Sequence, residues 1–281
     1  MKKAKDVFRY LFWSVFVIIW LTPILYIVNS AVKSPNEFFQ RGMFAFPQEP
    51  TLANFSIAWD GIKIHFLNSL FYVGIAVPLI VFLSCMAAYA LSRFEFKGKK
   101  FFIILLMLGM MIPSHTTLLP NYLMLKKLDL LNSRTGLILL YIALNISFTF
   151  FLTRSYFLGI DREIEEAALT DGCPTWQIFF RIILPMAKPI LVIAIVMNYL
   201  NVWNDLVLSI VYITRDELLP VTAGILRFTE QYAQHYEQMT AGILISIIPL
   251  SIIFVLAQKH IVTGMAEGAL KRIFRLMILI I

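Results

Sequence analysis

Long stretches without charge set the terms on which this chain can fold. Residues 10–32 carry none, nor do 64–92 apart from His65, 101–125 apart from His115, 135–153 and 238–258; a sixth run, 189–214, holds the single acid Asp205. A helix crossing the hydrocarbon core of a bilayer needs about 20 mostly apolar residues, and each run is of that order once 135–153 borrows Tyr156 and Phe157. Only 15% of the chain is charged, against about 25% in soluble domains, too little polar surface to coat a soluble core of this size. Lipid needs no such coat, and helices satisfy their own backbone groups. The pattern therefore predicts an all-α fold: an integral membrane bundle of six transmembrane helices, with spans at about 10–32, 65–92, 101–125, 135–157, 187–213 and 238–258. The whole of residues 1–281 reads as one transmembrane domain, with no repeat and no separate soluble domain.

The net charge of +7 sits in short basic clusters between the apolar runs, which suits a negatively charged membrane surface rather than nucleic acid. Lys2, Lys3 and Lys5 before the first run imitate a signal peptide. That run is too long for one and no A-x-A site follows, so it reads as the first span. With the amino terminus inside, the 24 Lys and Arg divide into sixteen inside and eight outside, so both termini are expected in the cytoplasm. Lys126, Lys127 and Arg134 are a local exception. The outer connection 33–63, with Pro35, Pro47, Pro50 and Gly42, is expected to be irregular. Cys85 and Cys173 fall in a span and an inner loop, so no disulfide is expected. His65, His115, His235 and His260 are scattered and lack metal-ligand spacing. No metal or cofactor is implied.

The loop between spans four and five, about 161–185, is the most informative. It reads DREIEEAALTDGCPTWQIFFRIILPMAKP from Asp161 to Pro189. Asp161 suits an N-cap, with Glu163, Glu165 and Glu166 near the helix start where the dipole favours negative charge. Gly172 suits the left-handed position after a helix end, and Pro174 can open the next helix. That second helix carries Trp176, Ile178, Phe179 and Phe180 as a predicted interfacial face. Taken alone, this is an amphipathic connector.

The spacing says more. Glu166-Ala167-Ala168, three residues, Gly172, nine residues, then Ile182-x-Leu184-Pro185 resembles the EAA signature of ABC importer permeases. Asn68-Ser69-Leu70, the run Ala87 to Phe94, Trp203-Asn204 and Gly268-Ala269-Leu270-Lys271 are similar to the carbohydrate branch, in its maltose-type second-permease form. Arg272 departs from that pattern, where a glycine is usual, and the apolar tail Ile273–Ile281 is too short to span by itself. The resemblance implies a permease of the bacterial cytoplasmic membrane. It would work with a second homologous permease, an ATPase subunit dimer and an extracytoplasmic solute-binding protein. Glu166, Ala167, Ala168, Gly172, Ile182, Leu184 and Pro185 would form the segment that docks on the ATPase.

Gly98-Lys99 lacks the rest of a phosphate-binding loop: Arg93 stands where the first glycine belongs and Lys100 where Ser or Thr belongs. ATP hydrolysis is thus expected on another chain, and this chain is not expected to be an enzyme. Within span five, Asn198, Asn201 and Asp205 share one helical face, with Tyr199 and Trp203 beside it. Asn145 and Thr149 recur four apart in span four. Such amides line a path for a sugar or, equally, bond helix to helix. The expected function is import of a sugar or oligosaccharide; a polyol or glycerol phosphodiester is the alternative solute. A membrane-embedded enzyme would need convergent catalytic groups, which the sequence does not offer, and an ion channel has no need of the EAA loop.

Overall fold

The computed structural model describes residues 2–280 apart from 36, 38–40, 43 and 232–234; beyond Lys259 the description is of helical backbone. The motif Gly268-Ala269-Leu270-Lys271 falls in that last stretch, so its side chains lie outside the described residues.

The described chain is helical, without strands. The helices are α1 (Lys2–Ala31), α2 (Ala53–Arg93), α3 (Lys99–Met111), α4 (Leu118–Lys127), α5 (Arg134–Phe157) and α6 (Arg162–Thr170). Then come α7 (Thr175–Met186), α8 (Lys188–Trp203), α9 (Val207–Tyr212), α10 (Val221–Gln231) and α11 (Tyr236–Ile280). Among the described residues four helices are long and apolar enough to cross a membrane, or up to six if each of two bent pairs counts as one span. The first pair, α3 with Ser114–Lys127, bends by 94°, and the second, α7 with α8, by 78°. Pro113 marks the first break and a 3₁₀ turn, Ser114–Thr117, follows it. Pro185 and Pro189 flank the second, where Ala187 has ψ near 5°. A proline removes a backbone donor and crowds the preceding turn, so sharp bends gather at such sites.

The connection 33–63 is not irregular throughout. Helix α2 begins at Ala53 and is 41 residues long. The added length is held because Ala58 and Ile62, one turn apart on a common face, are fully buried.

Two compact units emerge, residues 1–66 with 221–249 and residues 67–220 with 250–281. In the first, Ala31, Ala58, Ile62, Phe228 and Ala241 form a core. Asn54 ties the end of α1 to the start of α2, its amide donating to the carbonyls of Ala31 and Lys33 at 2.9 and 2.8 Å. The Phe228 ring lies where a Cβ on Gly61 would stand, 2.5 Å from it.

In the second unit, α5 is capped by Ser133, whose hydroxyl accepts from Gly136 N at 3.0 Å, a cap worth about 1 kcal/mol. Asn132, at φ 53°, adopts the left-handed conformation that its short amide tolerates. Its carbonyl oxygen accepts from the Thr214 backbone and hydroxyl and from Arg215 N. Asn68 reaches the same segment, donating to the carbonyls of Glu217 and Leu219 at 2.7 and 3.1 Å and accepting from Arg134 at 2.8 Å. Tyr72 donates to Leu218 O at 2.7 Å. These bonds pair backbone groups that the short 3₁₀ turn Asp216–Leu218 and its flanks leave free.

Candidate functional site

The segment carrying the EAA residues folds as α6, a turn, and α7. Asp161 occupies the N-cap position of α6 without a side-chain cap bond. The helix turns Glu165 and Ala168 inward, one turn apart, and leaves Glu166, Ala167 and Leu169 exposed. Gly172 has φ +82° with nothing within 4 Å of where a Cβ would be, so backbone conformation alone selects glycine there. Pro174 is the N-cap of α7.

The expected apolar face of α7 divides. Trp176 is 59% exposed and Phe180 47%, while Ile178 and Phe179 are buried. Phe180 stacks on Phe82 at 6.4 Å. The helix departs from α geometry in a π turn at Phe179–Ile183, which places Ile182 and Leu184 half-buried and Pro185 exposed just before the bend. π turns within α-helices are frequent at functional sites.

What holds α6 in place is a group that sequence reasoning missed. Glu165 is buried against Arg93 at the end of α2, with Oε1 2.5 Å from Nε, an approach off the hydrogen-bond direction. Tyr89 donates to Glu165 Oε2 at 2.9 Å. Arg93 Nη2 donates to Ile160 O at 2.9 Å, just ahead of α6, and Arg162 Nη2 lies 3.4 Å from Ser92 O. The Tyr89 ring rests on Phe179 at 5.0 Å and edge-on to Phe157. The available signal was a basic residue closing a long uncharged run, with an acid near the start of the next amphipathic helix on the same side.

The span-five residues occupy three environments. Asn198 is fully buried, donating to Thr149 Oγ1 and Ala194 O, both at 2.8 Å. Asn201 is exposed and donates to Asn145 Oδ1 at 3.0 Å; Asn145 in turn donates to Tyr141 O at 2.9 Å. Asp205 lies past the end of α8 and caps α9, accepting from Leu208 N and Ser209 N at 3.1 and 3.0 Å. It also accepts from the buried Tyr141 hydroxyl at 2.9 Å. Tyr199 and Trp203 stack with centroids 5.4 Å apart, and both are buried. The polar face thus bonds α8 to α5 along its length and presents the Asn145–Asn201 pair outward. Among the described residues no group of three or more His, Cys, Asp or Glu could hold a metal.

Bilayer-length helices, a short amphipathic pair set between two of them and amides along one span define a multi-pass membrane transport component. The chain belongs to the binding-protein-dependent transport system inner membrane component family, which it matches over residues 65–267. It is 40% identical over 250 residues to the probable ABC transporter permease protein YurM of Bacillus subtilis strain 168, covering 89% of this chain and 83% of that one. It is 32% identical over 263 residues to the diacetylchitobiose uptake system permease protein NgcG of Streptomyces coelicolor, with 92% and 86% covered. The multiple sugar-binding transport system permease protein MsmG of Streptococcus mutans serotype c is 32% identical over 281 residues, with 96% and 100% covered. A chain of a crystallised bacterial ABC transporter that imports the acidic polysaccharide alginate has the same fold. Its TM-score is 0.80 at 23% identity, over 92% of this chain and 97% of that one.

Proposed function

We propose that this permease acts as a single transmembrane domain that moves a sugar or oligosaccharide into the cell. ATP hydrolysis would occur on a separate ATPase dimer, and a second homologous permease would complete the path. The names of its relatives NgcG and MsmG support a saccharide solute. The observation that carries the coupling role is the presentation of α6: Glu166, Ala167 and Leu169 face outward while Glu165 and Ala168 face in. An exposed carboxylate beside a small residue and a leucine suits a cleft with a basic partner group; of the EAA residues, Glu166 and Ala167 fall on that exposed face, while Ala168 packs inward.

In this reading α6 and α7 lie on the cytoplasmic side, with both termini, and the solute-binding protein docks on the opposite side. Closure of the ATPase dimer draws the coupling segments together and rocks the spans between inward-open and outward-open states, a rigid-body switch. The solute passes the Asn145–Asn201 pair, of which Asn201 is exposed and Asn145 half-buried. Asn198, Trp203 and Asp205 stand behind that pair and hold its helix in place.

The test is reconstitution of the permease with its partner permease, ATPase and binding protein in liposomes. Uptake of labelled oligosaccharide that requires both ATP and the binding protein is expected. Uptake of a polyol or glycerol phosphodiester, with no response to saccharides, would replace the solute assignment.

A further inference from the structure

We propose that Glu165, Arg93 and Tyr89 form a positioning strap that carries the movement of α6 directly into α2. The inference rests on α6 being the coupling helix. By chain connection alone, α6 is tied to α5 behind it and α7 ahead of it, and α2 lies far away in sequence. Yet the polar bonds described for α6 and its approach go to the last turn of α2: Glu165 to Arg93 and Tyr89, Ile160 O to Arg93, and Arg162 to Ser92 O. Both side chains of the ion pair are at least nine-tenths buried, 7% and 10% exposed.

Burial gives these bonds their mechanical value. An ion pair in water re-forms with any neighbour, whereas a buried one has no substitute partner and resists separation. The strap also has two points of attachment on the moving side, Ile160 before the helix and Glu165 within it, so α6 can neither slide nor swivel freely against α2. The Tyr89 ring, set on Phe179 and Phe157, adds contacts to α7 and to the end of α5. The end of α2 is therefore a hub on which the coupling segment pushes, and α2 is the longest span-forming helix up to that point of the chain. Glu166, the acid that the EAA spacing singles out, stays exposed at the mouth of a cavity lined also by Tyr89, Arg93 and Glu165, and takes no part in the buried bonds. Adjacent acids thus divide the task, Glu166 toward the ATPase and Glu165 toward the permease's own spans.

The experiment uses the reconstituted transporter with all its subunits. Glu165→Gln keeps the side-chain volume and removes the charge. Tyr89→Phe removes one hydrogen bond. The pair Arg93→Glu with Glu165→Arg restores attraction in reverse. The readouts are the amount of ATPase that co-purifies, ATP turnover in response to the loaded binding protein, and uptake per ATP hydrolysed. With Glu165→Gln, the ATPase still co-purifies while uptake per ATP falls at least fivefold; Tyr89→Phe lowers it about twofold, and the reversed pair regains at least half of the loss. A fold-preserving role alone would lower assembly, turnover and uptake together and leave their ratio unchanged, and that result would overturn the proposal. Should Glu165→Gln fail to assemble, an unchanged ratio in Tyr89→Phe overturns it equally. If Glu166→Lys retains the ATPase and normal uptake, it is the coupling-helix reading itself that fails, and the strap readouts remain separately interpretable.

Discussion

Replacing Asp205 by alanine, and separately by asparagine, tests whether that residue serves as a structural cap or as a charge for the solute. Its carboxylate holds Leu208 N and Ser209 N at the start of α9 and receives the buried Tyr141 hydroxyl. Alanine removes the cap, worth about 0.5–2 kcal/mol, and leaves the Tyr141 hydroxyl buried without a partner, worth about 1–3 kcal/mol. The terms share one group and do not simply add, so a loss of about 2–4 kcal/mol is expected. Asparagine caps helices about as well as aspartate and still accepts from tyrosine, so Asp205→Asn stays within about 1 kcal/mol of the parent. Adding Tyr141→Phe to Asp205→Ala removes the orphaned hydroxyl and regains about 1–2 kcal/mol. Denaturant unfolding of the purified transporter in detergent gives the order of stability, and uptake is measured in parallel. Wild-type stability in Asp205→Ala, or no recovery on adding Tyr141→Phe, would refute the cap argument. Loss of uptake in Asp205→Asn at full stability would assign the charge to the solute instead.

In a background without Cys85 and Cys173, a cysteine at exposed Asn201 is expected to react with a small water-soluble thiol reagent and one at buried Asn198 to stay protected; equal labelling would place both on one face. Gly172→Val forces a branched side chain into φ +82°, costing about 1–2 kcal/mol, and is expected to abolish uptake and loosen ATPase co-purification while the protein remains in the membrane. Gly136→Ala places a methyl group on the Leu130 carbonyl oxygen and is expected to cost about 1–3 kcal/mol. Gly74→Ala, with nothing within 4 Å of its Cβ, is the control and should leave the unfolding midpoint unchanged or slightly raised.

The spans were legible because lipid imposes a crude length rule that apolar runs obey. The coupling segment's turn was legible because a left-handed residue after a helix leaves glycine almost no competitor. The bends were signalled by Pro113, Pro185 and Pro189, but a proline gives no angle, and the 94° and 78° values depend on what each half packs against. The helical start of α2 was hidden among prolines and a glycine, since Ala58 and Ile62 declare themselves only once Phe228 and Ala241, far along the chain, are beside them. The same distance hid the strap: Arg93 and Glu165 are each ordinary surface residues until the fold buries them together. Asn198 and Asn201, three apart in sequence, looked equivalent; one meets Thr149 in the interior and the other meets Asn145 at the edge.

The π turn at Phe179–Ile183 makes the length of this segment a functional quantity alongside its composition. Each residue of an α-helix advances the side-chain direction by about 100°, and a π turn accommodates one residue more than the α spiral would. Deleting any one residue from 179–183 would let the stretch relax to regular helix and rotate everything on its amino-terminal side by about that angle. Trp176 would turn into the half-buried direction now held by Gln177, with no change in its own chemistry. The phase of the first turn of α7 against the bend into α8 is thus set by a single supernumerary residue, and insertions or deletions here should be tolerated far less readily than substitutions.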